Sequence, residues 1–313
     1  MLKSVNVISA ILLFVAPLKS NAQYDPSFSH YFDMETSFNP ASSGKDSKLN
    51  VVGVYALDFA GFENNPKTLY VSGDMPFYAL KSYHGAGVSI VSDQLGIFTH
   101  QLVDVDYAYK MKLFGGRLSA GIQVGFINEK LDFSKVDLDD SSDPAFGSSS
   151  ASGNSIDLGL GLYYQHKQWY AGASVKHLNS PLIDVGETNE FKVDATYYLT
   201  GGYNIKLRNP FLSIIPSVLV KSDFVTYRAD VTGRLVYTND KKMMYGGLSY
   251  SPTNSFTVLI GGSFHGIVVG YSYEVYTSSI SATNGSHELF IGYQTDINLV
   301  KKGKNKHQSV RIL

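Results

Sequence analysis

The chain has 313 residues, a formal net charge of −1 and no cysteine. The missing cysteine excludes disulfides, thiolate metal sites, cysteine nucleophiles and a lipid anchor on cysteine, and the near-zero net charge argues against general nucleic-acid binding. A charged fraction of only 17% with 29 glycines and 22 tyrosines suits a β-rich chain with two differently solvated faces.

Residues 1–22 have the pattern of a secretory signal peptide. Lys3 supplies the positive start, 7–16 (VISAILLFVA) an apolar core, and 20–22 (SNA) a small-residue cleavage site. Because the apolar run is too short for a comfortable membrane span, a cleaved signal peptide is favoured over a retained anchor. The mature chain would then begin at Gln23, outside the cytoplasm.

Residues 23–47 differ from the rest of the mature chain, because they contain Pro26 and Pro40 and show no long alternation. We predict an N-terminal periplasmic arm that plugs or caps the mouth of the domain that follows.

Residues 48–300 alternate with period two over segments of about ten residues. In 156–164 (IDLGLGLYY), apolar side chains occupy every second position and small or polar ones the positions between. A soluble sandwich also alternates, but its strands are shorter, about 5–6 residues, whereas a tilted strand that crosses a bilayer needs about 9–11. Aromatic pairs at segment ends resemble the two girdles of a membrane barrel. The sequence therefore predicts an all-β fold, an antiparallel transmembrane outer-membrane β-barrel.

Segment counting gives about 14 strands, an even number that places both termini in the periplasm. The longest connections, 132–154, 179–190 and 278–286, follow odd strands and would be extracellular. The alternation predicts eight charges on the lumenal face, where they could line a pore or could pair and close it. They are Asp104, Asp106, Lys110, Asp157, Lys176, Lys192, Asp194 and Glu274.

No motif indicates catalysis, a cofactor or a metal site. His287-Glu288 lacks the second histidine of a zinc-protease helix and begins a predicted strand. The acidic run Asp137–Asp143 lacks the glycine and glutamate of a calcium loop and is interpreted as a solvated surface loop. We therefore expect a protein that is not an enzyme.

The chain ends in a basic tail, residues 301–313. It is either a disordered solvated tail or a periplasmic docking arm for an acidic partner or lipid headgroups. The candidate contact residues are Lys301, Lys302, Lys304, Lys306 and Arg311.

Four segments resemble the PorP/SprF family in order: the arm QYDPSFSHYFDMETSFNPASSG, then 85–113, 157–181 and 270–293. The signature residues are Asp25, Pro26, Asn39, Pro40 and Gly44 in the arm, Asp93, Gly96, Tyr107 and Tyr109 in the second segment, and Gly285, Ser286, His287 and Glu288 before the last strand. The chain departs from the family pattern at Met34-Glu35-Thr36 and lacks a Cys-Pro ending.

The resemblance implies a non-enzymatic outer-membrane component of the type IX secretion and gliding machinery of the Bacteroidetes. Implied partners are periplasmic ring proteins like PorK and PorN, a peptidoglycan-binding protein like PorE, and outer-membrane lipid. Close relatives instead serve the secretion or surface retention of one adhesin. That role, and a diffusion porin, remain the alternatives.

Overall fold

The computed structural model describes residues 24–133, 150–186, 189–240, 242–252, 254–277 and 284–297. The predicted signal peptide, the five candidate contact residues of the basic tail and the acidic run Asp137–Asp143 lie outside these ranges. Among the described residues, no helix combines the length and the hydropathy needed to cross a membrane.

Three single-turn 3-10 helices in the arm precede seventeen strands. The 3-10 helices are Tyr31–Asp33, Glu35–Ser37 and Pro40–Ser42. The strands are β1 (Lys48–Leu57), β2 (Lys67–Ala79), β3 (Ser82–Leu95), β4 (Phe98–Leu113), β5 (Gly116–Leu131), β6 (Ala151–Gln165), β7 (Trp169–Lys176), β8 (Leu182–Val185), β9 (Asn189–Lys192), β10 (Thr196–Tyr203), β11 (Ile205–Lys206), β12 (Leu212–Ser222), β13 (Tyr227–Asn239), β14 (Lys242–Ser251), β15 (Ser255–Phe264), β16 (Ile267–Tyr276) and β17 (Ser286–Asp296).

The wall is a closed antiparallel barrel of 14 strands, as the alternation predicted. Each wall strand pairs with its neighbours along the chain, β17 pairs with β1, and β10 pairs with β12. The short strand β11 continues β10 along β12. Closure leaves no open sheet edge, which is the condition for strands to cross a bilayer.

Alternation predicts a loop over 179–190 and one wall strand over 191–206, and the structure divides this segment differently. Its first part forms the hairpin β8–β9, which lies outside the wall sheet. Ile183, Val185 and Val193 turn into the lumen and pack in a buried cluster with Leu102 and Ile127. Because residues 191–195 also alternate, the sequence pattern could not distinguish them from a wall strand.

The two faces of the wall differ as the alternation predicted. Val105, Val124 and Leu158 lie side by side on β4, β5 and β6 and are exposed on the outside. Gln123 and Asp157, one position away, are buried on the lumenal side. The outward stripe is the surface that a bilayer would cover.

A Val124→Arg substitution should destabilise the inserted barrel by about 2–4 kcal/mol, the cost of arginine near the bilayer midplane. Urea unfolding in lipid bilayers measures this effect, and Val124→Leu is the matched apolar control. Equal stability of the two variants would contradict the lipid-facing assignment.

The two ends of the barrel are different. We call the end where β1 begins and β17 ends the terminal mouth, and the opposite end the loop mouth. The longest connection at the terminal mouth is 207–211. The loop mouth carries 58–66 and the β8–β9 hairpin, and β5, β6, β16 and β17 have there the ends from which their longer connections leave.

Candidate functional site: the arm inside the barrel

The arm lies inside the barrel and runs from one mouth to the other. Tyr24 hydrogen-bonds to His100 and Glu129, near the loop mouth. At the other end, the Lys45 carbonyl accepts a hydrogen bond from Arg117 at the terminal mouth. The described ends of the chain, Tyr24 and Ile297, therefore lie at opposite mouths. This placement differs from the expectation that the two termini lie on one side.

The arm satisfies much of its own backbone, as a buried segment must. The Asn39 side chain caps the last 3-10 turn by accepting from the Ala41 amide at 3.0 Å, and its amide group donates to the Leu162 carbonyl of the wall at 3.0 Å. Pro40 occupies the first helical position, where a missing N–H costs nothing. Gly44 has φ of +61°, and its amide donates to Asp74 at 2.7 Å.

Glycines on the lumenal face form the surface against which the arm packs, which we call its seat. A Cβ at Gly85 would lie 1.9 Å from the Ser43 carbonyl oxygen, and one at Gly121 would lie 2.3 Å from the Ala41 amide nitrogen. The obstacle in both cases is arm backbone, which cannot rotate away. The small side chains on the lumenal face therefore create the space that the arm fills.

A buried charge cluster holds the N-terminal end of the arm. Asp25 pairs with His177, the first residue after β7, at 3.2 Å, and accepts a hydrogen bond from Tyr198. His177 also lies 3.1 Å from Asp157, and Lys221 donates to the Asp25 carbonyl at 2.8 Å. These charges are paired, which is the condition for burying them.

Asp25 and His177 hold each other in their charged forms. Burial alone would raise the pKa of Asp25, but the charges of His177 and Lys176 outweigh it and hold that pKa well below its usual value. Burial likewise opposes the charged form of His177, and the Asp25 charge and the adjacent Asp157 carboxylate raise its pKa to about 9.

Glu288 anchors the next part of the arm. It is buried on the lumenal face and accepts from the amides of Ser29 at 2.7 Å and His30 at 3.0 Å. It also pairs with the His30 ring at 2.5 Å. Its neighbour His287 points outward and hydrogen-bonds to Tyr271 at 2.7 Å. The two residues thus serve opposite faces of β17.

A Glu288→Gln substitution should weaken the seated arm by about 1–3 kcal/mol, because an amide replaces the charged acceptor of three donors, two of them buried. Thermal unfolding of the purified barrel measures the loss, and His287→Gln is the control on the outer face. If His287→Gln is as unstable as Glu288→Gln, the loss reflects a general effect on the wall strand β17 and not the contacts of Glu288 with the arm.

The middle of the arm packs on aromatic and cationic groups of the wall. The Arg234 guanidinium lies 3.4 Å from the centroid of the Phe32 ring, a cation–π contact. Tyr31 hydrogen-bonds to Ser217 at 3.0 Å and to Thr232 at 3.1 Å. The cavity left near Asp25 and Pro26 measures about 30 Å³, room for a water or two.

The remaining signature residues lie away from the arm. Asp93 accepts from Thr68 at 2.6 Å, and Gly96 makes the tight turn after β3 with φ of +59°. Tyr107 and Tyr109 lie on the outer face, where both rings pack beside the buried His84.

The start of β17 closes one loop onto the wall. Gly285 has φ of +77°, and its carbonyl accepts from the Ala60 amide at 2.8 Å. Ser286 accepts from the Phe59 amide at 3.1 Å and hydrogen-bonds to Tyr276 at 2.7 Å. Gly285 and Ser286 thus tie the 58–66 loop to the last strand.

The eight charges assigned to the lumen divide into two groups. Six are buried: Asp104, Asp106, Lys110, Asp157, Lys176 and Glu274. Lys192 and Asp194 are instead exposed and pair with each other at 2.6 Å, so their lumenal assignment was wrong. Within the described ranges, no group of three or more acidic or histidine side chains is arranged to hold a metal.

Sequence reasoning missed several residues that hold the arm: Tyr24, His30, His100, His177, Tyr198 and Arg234. The only signal for the seat was the run of small residues on the lumenal face, which also fits tight strand curvature.

Comparison with known proteins places this barrel among membrane proteins of bacterial secretion. The family model described as "Type IX secretion system membrane protein PorP/SprF" matches residues 20–293. No curated protein matches the sequence. The barrel is similar to the CymD monoaromatic hydrocarbon channel, with a TM-score of 0.50, 12% identity, and 89% and 95% of the two chains covered. A FadL homologue of Pseudomonas aeruginosa gives a TM-score of 0.49 at 10% identity, with 83% and 93% covered. At these identities the likeness extends to the barrel fold alone.

Proposed function

The chain belongs to the PorP/SprF family of type IX secretion system membrane proteins, and we propose that it is a non-enzymatic barrel that anchors periplasmic ring proteins to the outer membrane. The plugged lumen is the observation that carries this proposal. A barrel filled by its own arm is suited to holding other proteins in place rather than to passing solutes.

The proposed orientation puts the terminal mouth in the periplasm. Bacterial barrels have short periplasmic turns and longer extracellular loops, and the terminal mouth has the short turns. In this orientation the end of β17 and the basic tail that follows it face the ring proteins. The arm begins near the extracellular mouth and ends in the periplasmic one.

The partners of this anchor would be ring proteins like PorK and PorN and a peptidoglycan-binding protein like PorE. The tail residues Lys301, Lys302, Lys304, Lys306 and Arg311 are the proposed contacts beyond the barrel, since a positive segment attracts an acidic partner.

A second candidate function is the secretion or surface retention of one adhesin. The observation that favours it is the folded β8–β9 hairpin at the loop mouth, which would present a shaped extracellular surface. The diffusion porin loses support, because Tyr24, Asp25, His30 and Lys45 of the arm bind the wall throughout the lumen.

Recovery of partners from outer membranes tests the proposal. The protein would be purified in mild detergent from its own membranes, and the proteins recovered with it identified by mass spectrometry. We expect the periplasmic ring proteins. One large surface adhesin without them would support the second candidate, and a barrel recovered alone would contradict both.

Deletion of residues 301–313 tests whether the basic tail makes the contact with the ring proteins. If it inserts normally and still recovers the ring proteins, the tail is not the contact.

A further inference from the structure

The terminal mouth contains a hollow that the arm does not fill. It measures about 1120 Å³ and lies between the end of the arm at Ser47 and the β4–β5 and β6–β7 turns.

The hollow opens on the lumenal side of the wall. Tyr83 pairs with Lys110 across β3 and β4, and Arg117 pairs with Lys112 and Gln165 on β4 and β6. Residues that pair directly across strands share a face, and Lys110 faces inward, where its Nζ donates to the Ser43 carbonyl at 2.7 Å. A molecule in the hollow would therefore enter through the barrel mouth and not from the bilayer.

The charge of the hollow has one sign. Among the described residues, its lining carries Lys110, Lys112, Arg117 and Lys167, together with His166, and no carboxylate. Asp46 and Asp74 lie outside the lining but act on Lys110. Lys110 and Arg117 are committed to arm carbonyls, whereas Lys112 and Lys167 are exposed. A concave site lined by one sign of charge concentrates its field and attracts the opposite charge.

Two further features suit a peptide. Phe114 is 87% exposed at the rim, in a turn where its φ of +47° and that of Gly115, +77°, hold it in place. The Nδ1 atom of His166 is buried and has no hydrogen-bond partner among the described residues. An aromatic side chain, an imidazole without a described partner on Nδ1 and cations together match an extended acidic chain with some apolar side chains.

We infer that this hollow is a docking site for an acidic segment of a periplasmic protein. The chain's own tail has the wrong charge to fill it, because residues 298–313 contain four lysines and one arginine and no acid. A lipid headgroup is disfavoured because the hollow opens inside the mouth. The inference deepens the proposed function, on which it rests for the periplasmic position of this mouth.

Binding of a model peptide to the purified full-length barrel tests the inference. The probes are a fluorescently labelled polyglutamate and a polyglutamine of equal length, followed by anisotropy in detergent. We expect the barrel to bind polyglutamate, and salt to weaken that binding. The double variant Lys112→Glu, Lys167→Glu should lower the affinity by about tenfold or more.

The matched control is Lys206→Glu, Arg208→Glu, which reverses two exposed charges on the same mouth but outside the hollow. Wild-type binding by this control supports the site. Equal losses in both double variants would overturn it in favour of a diffuse basic surface. The inference is also overturned if polyglutamate binds no better than polyglutamine.

The same variants separate this inference from the proposed function. If the barrel does not bind polyglutamate but ring proteins are still recovered with it, the proposed anchoring function is supported and the hollow is not the docking site. Polyglutamate binding in the hollow without ring proteins would support the docking chemistry and contradict the anchor.

Discussion

Replacing Gly121 with leucine should unseat the arm and open the barrel to ions. The new Cβ alone would lie 2.3 Å from the Ala41 amide nitrogen and 2.5 Å from the Pro40 carbonyl carbon. Both atoms belong to arm backbone within a capped turn, so the side chain and the arm cannot occupy the same space. Overpacking a tight interior costs about 1–3 kcal/mol, and here the arm can leave while the wall stays closed.

Conductance in planar bilayers measures this opening. The wild-type barrel should be closed, and the Gly121→Leu barrel should show a steady conductance. The control is Gly246→Leu, because no atom lies within 4 Å of a Cβ at that position and its cross-strand neighbours Leu235 and Ile260 are exposed on the outer face. A closed Gly121→Leu barrel that is as stable as this control would show that the arm is not seated there.

The wall could be predicted from the sequence because every strand of a membrane barrel faces lipid on one side and the lumen on the other. Val124 and Leu158 face lipid while Gln123 and Asp157 face inward, and such a contrast repeats at period two along each strand. Strand number and closure follow from the length and number of these segments. The boundary error fell on the β8–β9 hairpin, where alternating residues turn into the lumen instead of continuing the wall.

The site could be predicted only in part, because the arm has no periodicity and its partners are far away in the chain. Asp25 meets His177 and Tyr198, which are 152 and 173 residues further on. No local pattern identifies such pairs. The family resemblance pointed to Asp25, Asn39 and Glu288 as signature residues, but it did not indicate that all three meet at the interface between the arm and the wall.

An Asp25→Asn substitution should release the N-terminal end of the arm. It removes the carboxylate that pairs with His177 and accepts from Tyr198, both of which are buried. Losing one partner of a buried pair costs about 3–5 kcal/mol, and we expect about 3 kcal/mol, because Asp157 remains beside His177. The measurement is thermal unfolding, with Asp194→Asn, in an exposed ion pair near the loop mouth, as the control.

The pH dependence of the stability of the arm in the lumen tests the same charge cluster around Asp25 and His177. The pKa of Asp25 is lowered from 3.8, so its contribution is present above 3.8 and lost as the pH falls through the lower folded value. The pKa of His177 is raised from 6.5 to about 9, so its contribution is complete below 6.5 and lost as the pH rises through about 9. The other titratable groups facing this pair are Tyr24, Asp157, Lys176, Tyr198 and Lys221.

Stability of the seated arm should therefore be greatest between about pH 4 and 6.5 and decline toward pH 9. Thermal unfolding at a series of pH values measures the decline. In Asp25→Asn the alkaline decline should shrink, because His177 then loses its strongest attractive charge. If the variant keeps the wild-type profile, the alkaline loss arises elsewhere, and the arm is held by its packing on the lumenal glycines rather than by this charge pair.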